Sequence, residues 1–186
     1  MFNGLYPTII IITFFTLFFG YKYLKGYISF LHSFYWFIFS VYAANLVVLT
    51  LFPFPYQKEL IEIMIEDHLG VEHNFMPFKA IADAMHFGDP LIALKQIGGN
   101  IVLFIPLGVA LPILFPAIKK GKVIVIGFVI SLSIELIQLM AGFFLGYNYR
   151  SFDVDDLMTN TLGTVIGLLV FTLLSNFLGK FNKYIK

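Results

Sequence analysis

The residue best suited to chemistry is a carboxylic acid in the middle of a strongly apolar stretch. In ISLSIELIQLM, residues 130–140, Ser131, Glu135 and Gln138 are four and three positions apart, and Gly142 follows four positions later. This spacing places all four on one face of a helix. A carboxylate at the centre of a bilayer costs about 3 kcal/mol even on the lower scales, so this face should point into a protein interior. Glu135 is the candidate catalytic residue, as a general base.

A second group of polar residues follows shortly after the first. The stretch YNYRSFDVDDLMTNTLG, residues 147–163, contains one arginine and three aspartates. The spacing of Asp153, Asp156 and Asn160 predicts that they share one helical face. An arginine binds phosphate or carboxylate through paired donors, and neighbouring carboxylates suit Mg²⁺ or Mn²⁺. The candidate metal ligands are Asp153, Asp155 and Asp156.

We expect these residues to line a single pocket in the outer half of a membrane, with Glu135 at its floor. Asn100 joins them because GGN, residues 98–100, opens another apolar run at the same end of the predicted bundle. The expected ligand-binding residues are Asn100, Ser131, Glu135, Gln138, Arg150, Asp153, Asp156 and Asn160.

The composition indicates which kind of secondary structure must position the residues of this pocket. Of the 186 residues, 59% are hydrophobic and only 12% are charged, as in an integral membrane protein. A helix needs about 20 apolar residues to cross a bilayer, and five runs with almost no charge meet this requirement. We therefore predict an all-α membrane bundle of about five transmembrane helices, in one domain over residues 1–186. The predicted spans are Leu5–Tyr23, Gly26–Phe52, Gln96–Ile118, Val123–Tyr149 and Leu157–Gly179.

The distribution of lysine predicts the orientation in the cell membrane. Eight of the twelve basic residues fall on one side of the predicted bundle: Lys22, Lys25, Lys119, Lys120, Lys122, Lys180, Lys183 and Lys186. By the positive-inside rule this side is cytoplasmic, so the N-terminus is outside and the C-terminus inside. These lysines are not interleaved with stacking aromatic residues in a soluble segment, so no nucleic acid is expected as a partner. Because the chain has no cysteine, disulfides and thiolate metal sites are excluded.

In this orientation the segment Phe54–Lys95, between the second and third spans, is extracellular and lies on the membrane surface. KELIEIMIEDHLG has a helical apolar pattern that we expect to end at Gly70. A second short helix should follow Pro77 and end at Gly88, with Asp89 as the N-cap of the next. The sequence therefore predicts short interfacial helices that cap the outer mouth of the bundle.

Four blocks of sequence together identify a family resemblance. They are NFMPF at residues 74–78, NIVLFIPLG at 100–108, SLSIELIQ at 131–138 and RSFDVDDLMTNTLG at 150–163. In this order, and with their polar residues in place, they resemble the VanZ-like family of small bacterial membrane proteins. The founding member of that family is associated with reduced susceptibility to teicoplanin, a lipid-tailed glycopeptide that acts on cell-wall precursors outside the membrane. The resemblance implies a link to glycopeptide resistance but supplies no biochemical mechanism.

Three interpretations of the polar pocket remain open. In the first, the pocket binds a lipid head group or a lipid-linked cell-wall precursor, with Arg150 holding phosphate or carboxylate. In the second, the aspartates hold Mg²⁺ or Mn²⁺ and Glu135 acts as a general base on a lipid-linked phosphate, which makes the protein an enzyme. In the third, the polar groups only hold the helices together. A transporter is disfavoured because the sequence shows no internal repeat.

Membrane lipids or a lipid-linked precursor are thus the expected partners. A homo-oligomer is a further possibility, since Gly163 and Gly167 form a small-xxx-small surface on the last span. This surface would join two chains unless the glycines pack within one bundle.

Overall fold

The computed structural model describes residues 3–86 and 90–184, and these residues form seven helices with no extended strand. The helices are α1 (Leu5–Leu24), α2 (Phe30–Leu51), α3 (Lys58–Glu66), α4 (Lys79–His86), α5 (Pro90–Leu114), α6 (Lys120–Leu145) and α7 (Val154–Tyr184). The helices α1, α2, α5, α6 and α7 each contain a stretch long and apolar enough to cross a membrane. The predicted all-α membrane bundle with five spans and short helices between the second and third is therefore confirmed.

The ends of the helices follow from local hydrogen bonds. Ser29 caps α2, because its hydroxyl accepts from the backbone nitrogen of His32. Asp153 caps α7 in the same way, since its Oδ1 accepts from the backbone nitrogen of Asp155 at 2.8 Å. The helix α6 ends at Leu145, four residues before the predicted end of that span, where Gly146 takes a φ of +76°. Residues 147–150 therefore lie in a connecting segment.

The short helix α3 ends earlier than the sequence predicts. His68, and not Gly70, takes the left-handed conformation that stops it, with a φ of 53°. The backbone nitrogen of His68 bonds to the carbonyl of Ile65, and that of Leu69 bonds to the carbonyl of Met64. This pair of bonds is the Schellman arrangement, in which glycine is the commonest residue at the left-handed position. The predicted end at Gly88 and the predicted N-cap Asp89 lie outside the described residues.

The chain forms two compact units, with the division falling inside α6. The α1–α2 unit takes the chain up to His73 together with Leu136–Phe152. In it α1 packs on α2 through aromatic rings, and the rings of Phe19 and Trp36 are stacked with centroids 4.0 Å apart. The outward apolar side chains of these helices are exposed, as expected for helices that face lipid.

The α5–α7 unit takes Asn74–Glu135 together with the chain from Asp153 onward. Here α5 packs on α7 through glycines, which let the two backbones approach closely. A Cβ added at Gly167 would collide with the carbonyl of Ile105, and one added at Gly163 would collide with that of Ile101. The buried side chains of Phe104, Leu107 and Leu168 fill the remaining space. The small-xxx-small surface of Gly163 and Gly167 thus packs within one chain.

Candidate functional site

Glu135 is buried and bonded to the start of α7. Its side chain is 2% exposed, and its Oε2 accepts a hydrogen bond from the backbone nitrogen of Asp153 at 2.8 Å. This nitrogen belongs to the N-cap residue of α7, at the end of the helix where unpaired N–H groups favour negative charge. The carboxyl group of α6 therefore satisfies a backbone donor of another helix. Glu135 is the residue that the sequence suggested as a general base.

Asn74 also forms hydrogen bonds with the N-terminal end of α7. The Nδ2 of Asn74 donates to Oδ1 of Asp153 at 2.8 Å and to Oδ2 of Asp155 at 3.3 Å. The carbonyl of Asn74 accepts from the backbone nitrogen of Val154 at 3.0 Å, and Oδ1 of Asp155 accepts from that of Phe78. The NFMPF block is thereby fixed to the start of α7.

These contacts affect the pKa of Asp153, which lies before the first residue of α7. Burial raises the pKa of the Asp153 carboxyl above its ordinary value, while the hydrogen bond from Asn74 acts in the opposite direction. Sequence reasoning did not place Asn74 among the site residues. Its only signal was the occurrence of an amide in the NFMPF block, which resembles the family pattern.

Further buried amide side chains contact the polar residues of the α5–α7 unit. Asn160, which is 3% exposed, donates from Nδ2 to the hydroxyl of Ser131 at 3.0 Å. Its Oδ1 is buried without a hydrogen-bond partner among the described residues, and so is Nδ2 of Asn100. Asn100 and Gln96 nevertheless lie beside the carboxyl group of Asp156. The structure thus brings together Asn100, Ser131, Glu135, Asp153, Asp155, Asp156 and Asn160.

The carboxyl groups suggested as metal ligands already have hydrogen-bond donors within the protein. Oxygens of Asp153 and Asp155 already accept from amide and backbone donors. Over residues 3–86 and 90–184, no three His, Asp or Glu side chains are placed to share a metal ion. The carboxyl groups of Asp153 and Asp155 join the start of α7 to the NFMPF block, and that of Glu135 joins it to α6.

Gln138 and Arg150 belong to the α1–α2 unit, where they contact the end of α2. Gln138 donates to the carbonyl of Thr50 at 2.8 Å. The Nη2 of Arg150 donates to the carbonyl of Phe52 at 2.9 Å and reaches that of Leu49 at 3.4 Å. The last carbonyls of a helix have no partner within the helix, so these donors cap α2. Of the eight residues expected in one pocket, these two contact the end of α2, and the other six belong to the α5–α7 unit.

Arg150 also lines a cavity of about 260 Å³ in the α1–α2 unit. Its wall includes the rings of Tyr147 and Tyr149 and the apolar side chains of Leu60 and Met64. Burial raises the pKa of the Tyr149 hydroxyl, which donates to the carbonyl of Leu51, while the nearby Arg150 charge acts in the opposite direction. Arg150 is the cationic group of this cavity.

Comparison with known proteins agrees with these features. The chain matches the family model described as VanZ/LLP1 over residues 39–175, which is more than half of its length. All four sequence blocks lie inside the matched range. No curated protein and no solved structure gives a significant match. The chain belongs to the VanZ/LLP1 family.

Proposed function

We propose that this protein binds the anionic head group of a membrane lipid or of a lipid-linked cell-wall precursor, with Arg150 in contact with its phosphate or carboxylate. The observation that carries the proposal is the position of the Arg150 guanidinium in the wall of the 260 Å³ cavity. Both of its hydrogen bonds within the described part of the chain come from Nη2. The Nη1 and Nε donors are left for a ligand, and an anion bonded to a guanidinium gains both charge and directed hydrogen bonds.

The surroundings of Arg150 suit a ligand attached to a lipid. Tyrosine rings combine an apolar face with a polar hydroxyl and are enriched where membrane meets water. The prolines and aliphatic side chains of the same cavity offer apolar surface to the lipid part of such a ligand.

The lysine distribution supports access from the outer leaflet. With the lysine-rich connections in the cytoplasm, residues 147–150 and the segment that contains α3 lie outside. A protein that binds a lipid-borne cell-wall precursor there, or the lipid tail of teicoplanin, would lower susceptibility to that antibiotic without any chemical step. The resemblance to the founding VanZ-like member is consistent with this role.

The test is lipid binding to Arg150→Met, with Gln138→Met as the matched control. Each substitution removes a donor to a carbonyl of the last turn of α2, but only Arg150 lines the cavity. Native mass spectrometry of the purified protein should show about tenfold weaker binding of phosphatidylglycerol to Arg150→Met, because a charge-assisted hydrogen bond contributes about 1.5–3 kcal/mol. Gln138→Met should bind as the wild type does. Equal losses in the two variants would show that Arg150 acts only by capping α2.

A further inference from the structure

A second cavity adjoins the one that Arg150 lines. It measures about 350 Å³, and Met64 and Tyr147 belong to the walls of both cavities. Sites for small ligands occupy about 300–1,000 Å³, so the larger cavity falls within that range and the Arg150 cavity just below it. A shared wall allows one ligand with two chemically different parts to occupy both.

The groups that line the second cavity differ in kind from Arg150. They include the imidazole of His68, the carboxylate of Glu72 and the hydroxyl of Tyr147. Within the described residues these three groups make no hydrogen bond to the rest of the protein. An imidazole donates and accepts, and a carboxylate accepts from two hydroxyls at once. The carboxylate also repels anionic groups, so the part of a ligand that lies in this cavity is neutral and rich in hydroxyls.

The backbone that carries His68 and Glu72 is ordered by hydrogen bonds, and both side chains are exposed. Val71 and Asn148 are joined twice, since the nitrogen of Val71 donates to the carbonyl of Asn148 and Nδ2 of Asn148 donates to the carbonyl of Val71. The Schellman turn at the end of α3 fixes the position of His68. A backbone ordered in advance loses less conformational entropy on binding.

We infer that the two cavities form one site for a lipid phosphate that carries a sugar. The phosphate lies at Arg150, and the sugar lies against the Tyr147 ring with its hydroxyls bonded to His68 and Glu72. The inference rests on the proposed function, because it takes the Arg150 cavity as the phosphate subsite. It adds the class of ligand, which is a glycosylated lipid phosphate and not a phospholipid with a small head group.

The test measures binding of two soluble probes to the purified full chain in detergent. The probes are farnesyl diphosphate and farnesyl diphosphate esterified with N-acetylglucosamine. The sugar-bearing probe should bind about tenfold more tightly, as one or two additional hydrogen bonds allow. Glu72→Ala should remove this difference without changing the affinity for farnesyl diphosphate. Glu66→Ala, which removes an exposed carboxylate of α3 that does not line the cavity, should leave both affinities unchanged.

The possible outcomes separate the two proposals. Equal binding of both probes, or a Glu72→Ala variant that keeps the preference for the sugar, would overturn the sugar subsite and leave the Arg150 site intact. If Arg150→Met binds farnesyl diphosphate as tightly as the wild type does, the proposed function itself is wrong. N-acetylglucosamine 1-phosphate, which has no lipid, should bind more weakly than the farnesyl ester. If N-acetylglucosamine 1-phosphate binds as tightly as the farnesyl ester, the ligand is a soluble sugar phosphate and the lipid assignment is wrong.

Discussion

The Oε2 atom of Glu135 accepts a hydrogen bond from the backbone nitrogen of Asp153 at 2.8 Å. In a capping box, the side chain three residues after the N-cap accepts from the N-cap nitrogen. Asp156 occupies that place in α7, but its carboxyl group lies beside Gln96 and Asn100. Glu135 supplies the acceptor from another helix. A carboxyl group that is costly in an apolar helix is therefore retained as the partner of a buried backbone donor.

This contact predicts a difference between two substitutions of Glu135. Glu135→Gln keeps an oxygen that accepts from Asp153 and should cost less than about 1 kcal/mol of the free energy of unfolding. Glu135→Leu leaves that buried N–H unpaired and should cost about 1–3 kcal/mol. Thermal unfolding in detergent measures both. Equal losses would show that the hydrogen bond to Asp153 does not explain why Glu135 is buried.

Glu135→Gln also tests the general-base interpretation. An amide cannot take up a proton at neutral pH, so any reaction that uses Glu135 as a base should fall by a factor of about 100 or more. We expect the variant to retain binding of the sugar-bearing farnesyl probe, because Glu135 does not line either cavity beside Tyr147. Loss of that binding in a stably folded Glu135→Gln protein would contradict the assignment of the ligand to the Arg150 cavity.

The glycines of the α5–α7 contact give a third prediction. Gly167→Ala should destabilise the protein, because the added Cβ meets the carbonyl of Ile105 and the two backbones must separate. Gly98→Ala is the control, since nothing lies within 4 Å of its added Cβ, and alanine in a helix is favoured over glycine by up to about 1 kcal/mol. The melting temperature should therefore fall for Gly167→Ala and stay or rise for Gly98→Ala. Light scattering should show the same oligomeric state for both, and dissociation caused by Gly167→Ala alone would indicate an interface between chains.

The spans and the burial of Glu135 were predictable from sequence because both depend on patterns of short range. A run of about 20 apolar residues identifies a span, and helical spacing places Ser131 and Glu135 on one face. The hydrogen-bond partners of the buried polar residues were not predictable in the same way. Asn74 and Asp153 are 79 positions apart, and no local pattern indicates which distant amide will bond to a given carboxyl group.

The different hydrogen-bond partners of Gln138 and Glu135 show the same limit. Three positions on a helix place two side chains on similar sides, yet Gln138 donates to Thr50 while Glu135 accepts from Asp153. The sequence therefore predicted the polar face but not the two sets of contacts into which it divides. The turn at His68 that stops α3 was missed because the left-handed position of a Schellman turn is usually occupied by glycine.

The aspartates at the start of α7 lead to a prediction about metal ions. Their oxygens accept from Asn74, from Phe78 and from the first turn of the helix. We therefore expect no change in melting temperature or in probe affinity when EDTA is added and Mg²⁺ or Mn²⁺ is then restored. A metal bound at 100 times its dissociation constant would stabilise the folded state by about 2.7 kcal/mol. A fall in melting temperature with EDTA that either ion reverses, and that Asp155→Asn abolishes, would establish a metal site.

The orientation in the membrane can be tested directly because the chain contains no cysteine, so a single introduced thiol is labelled without background. Met76 is 65% exposed in the NFMPF block, and Lys25 is exposed after the first span. The lysine distribution predicts that the NFMPF block lies outside, so Met76→Cys should react with a membrane-impermeant maleimide in intact cells. Lys25→Cys should react only after the cells are opened. The reverse pattern would place Arg150 and both cavities on the cytoplasmic side, where the head groups of the inner leaflet, and not an exported cell-wall precursor, would be the ligands within reach.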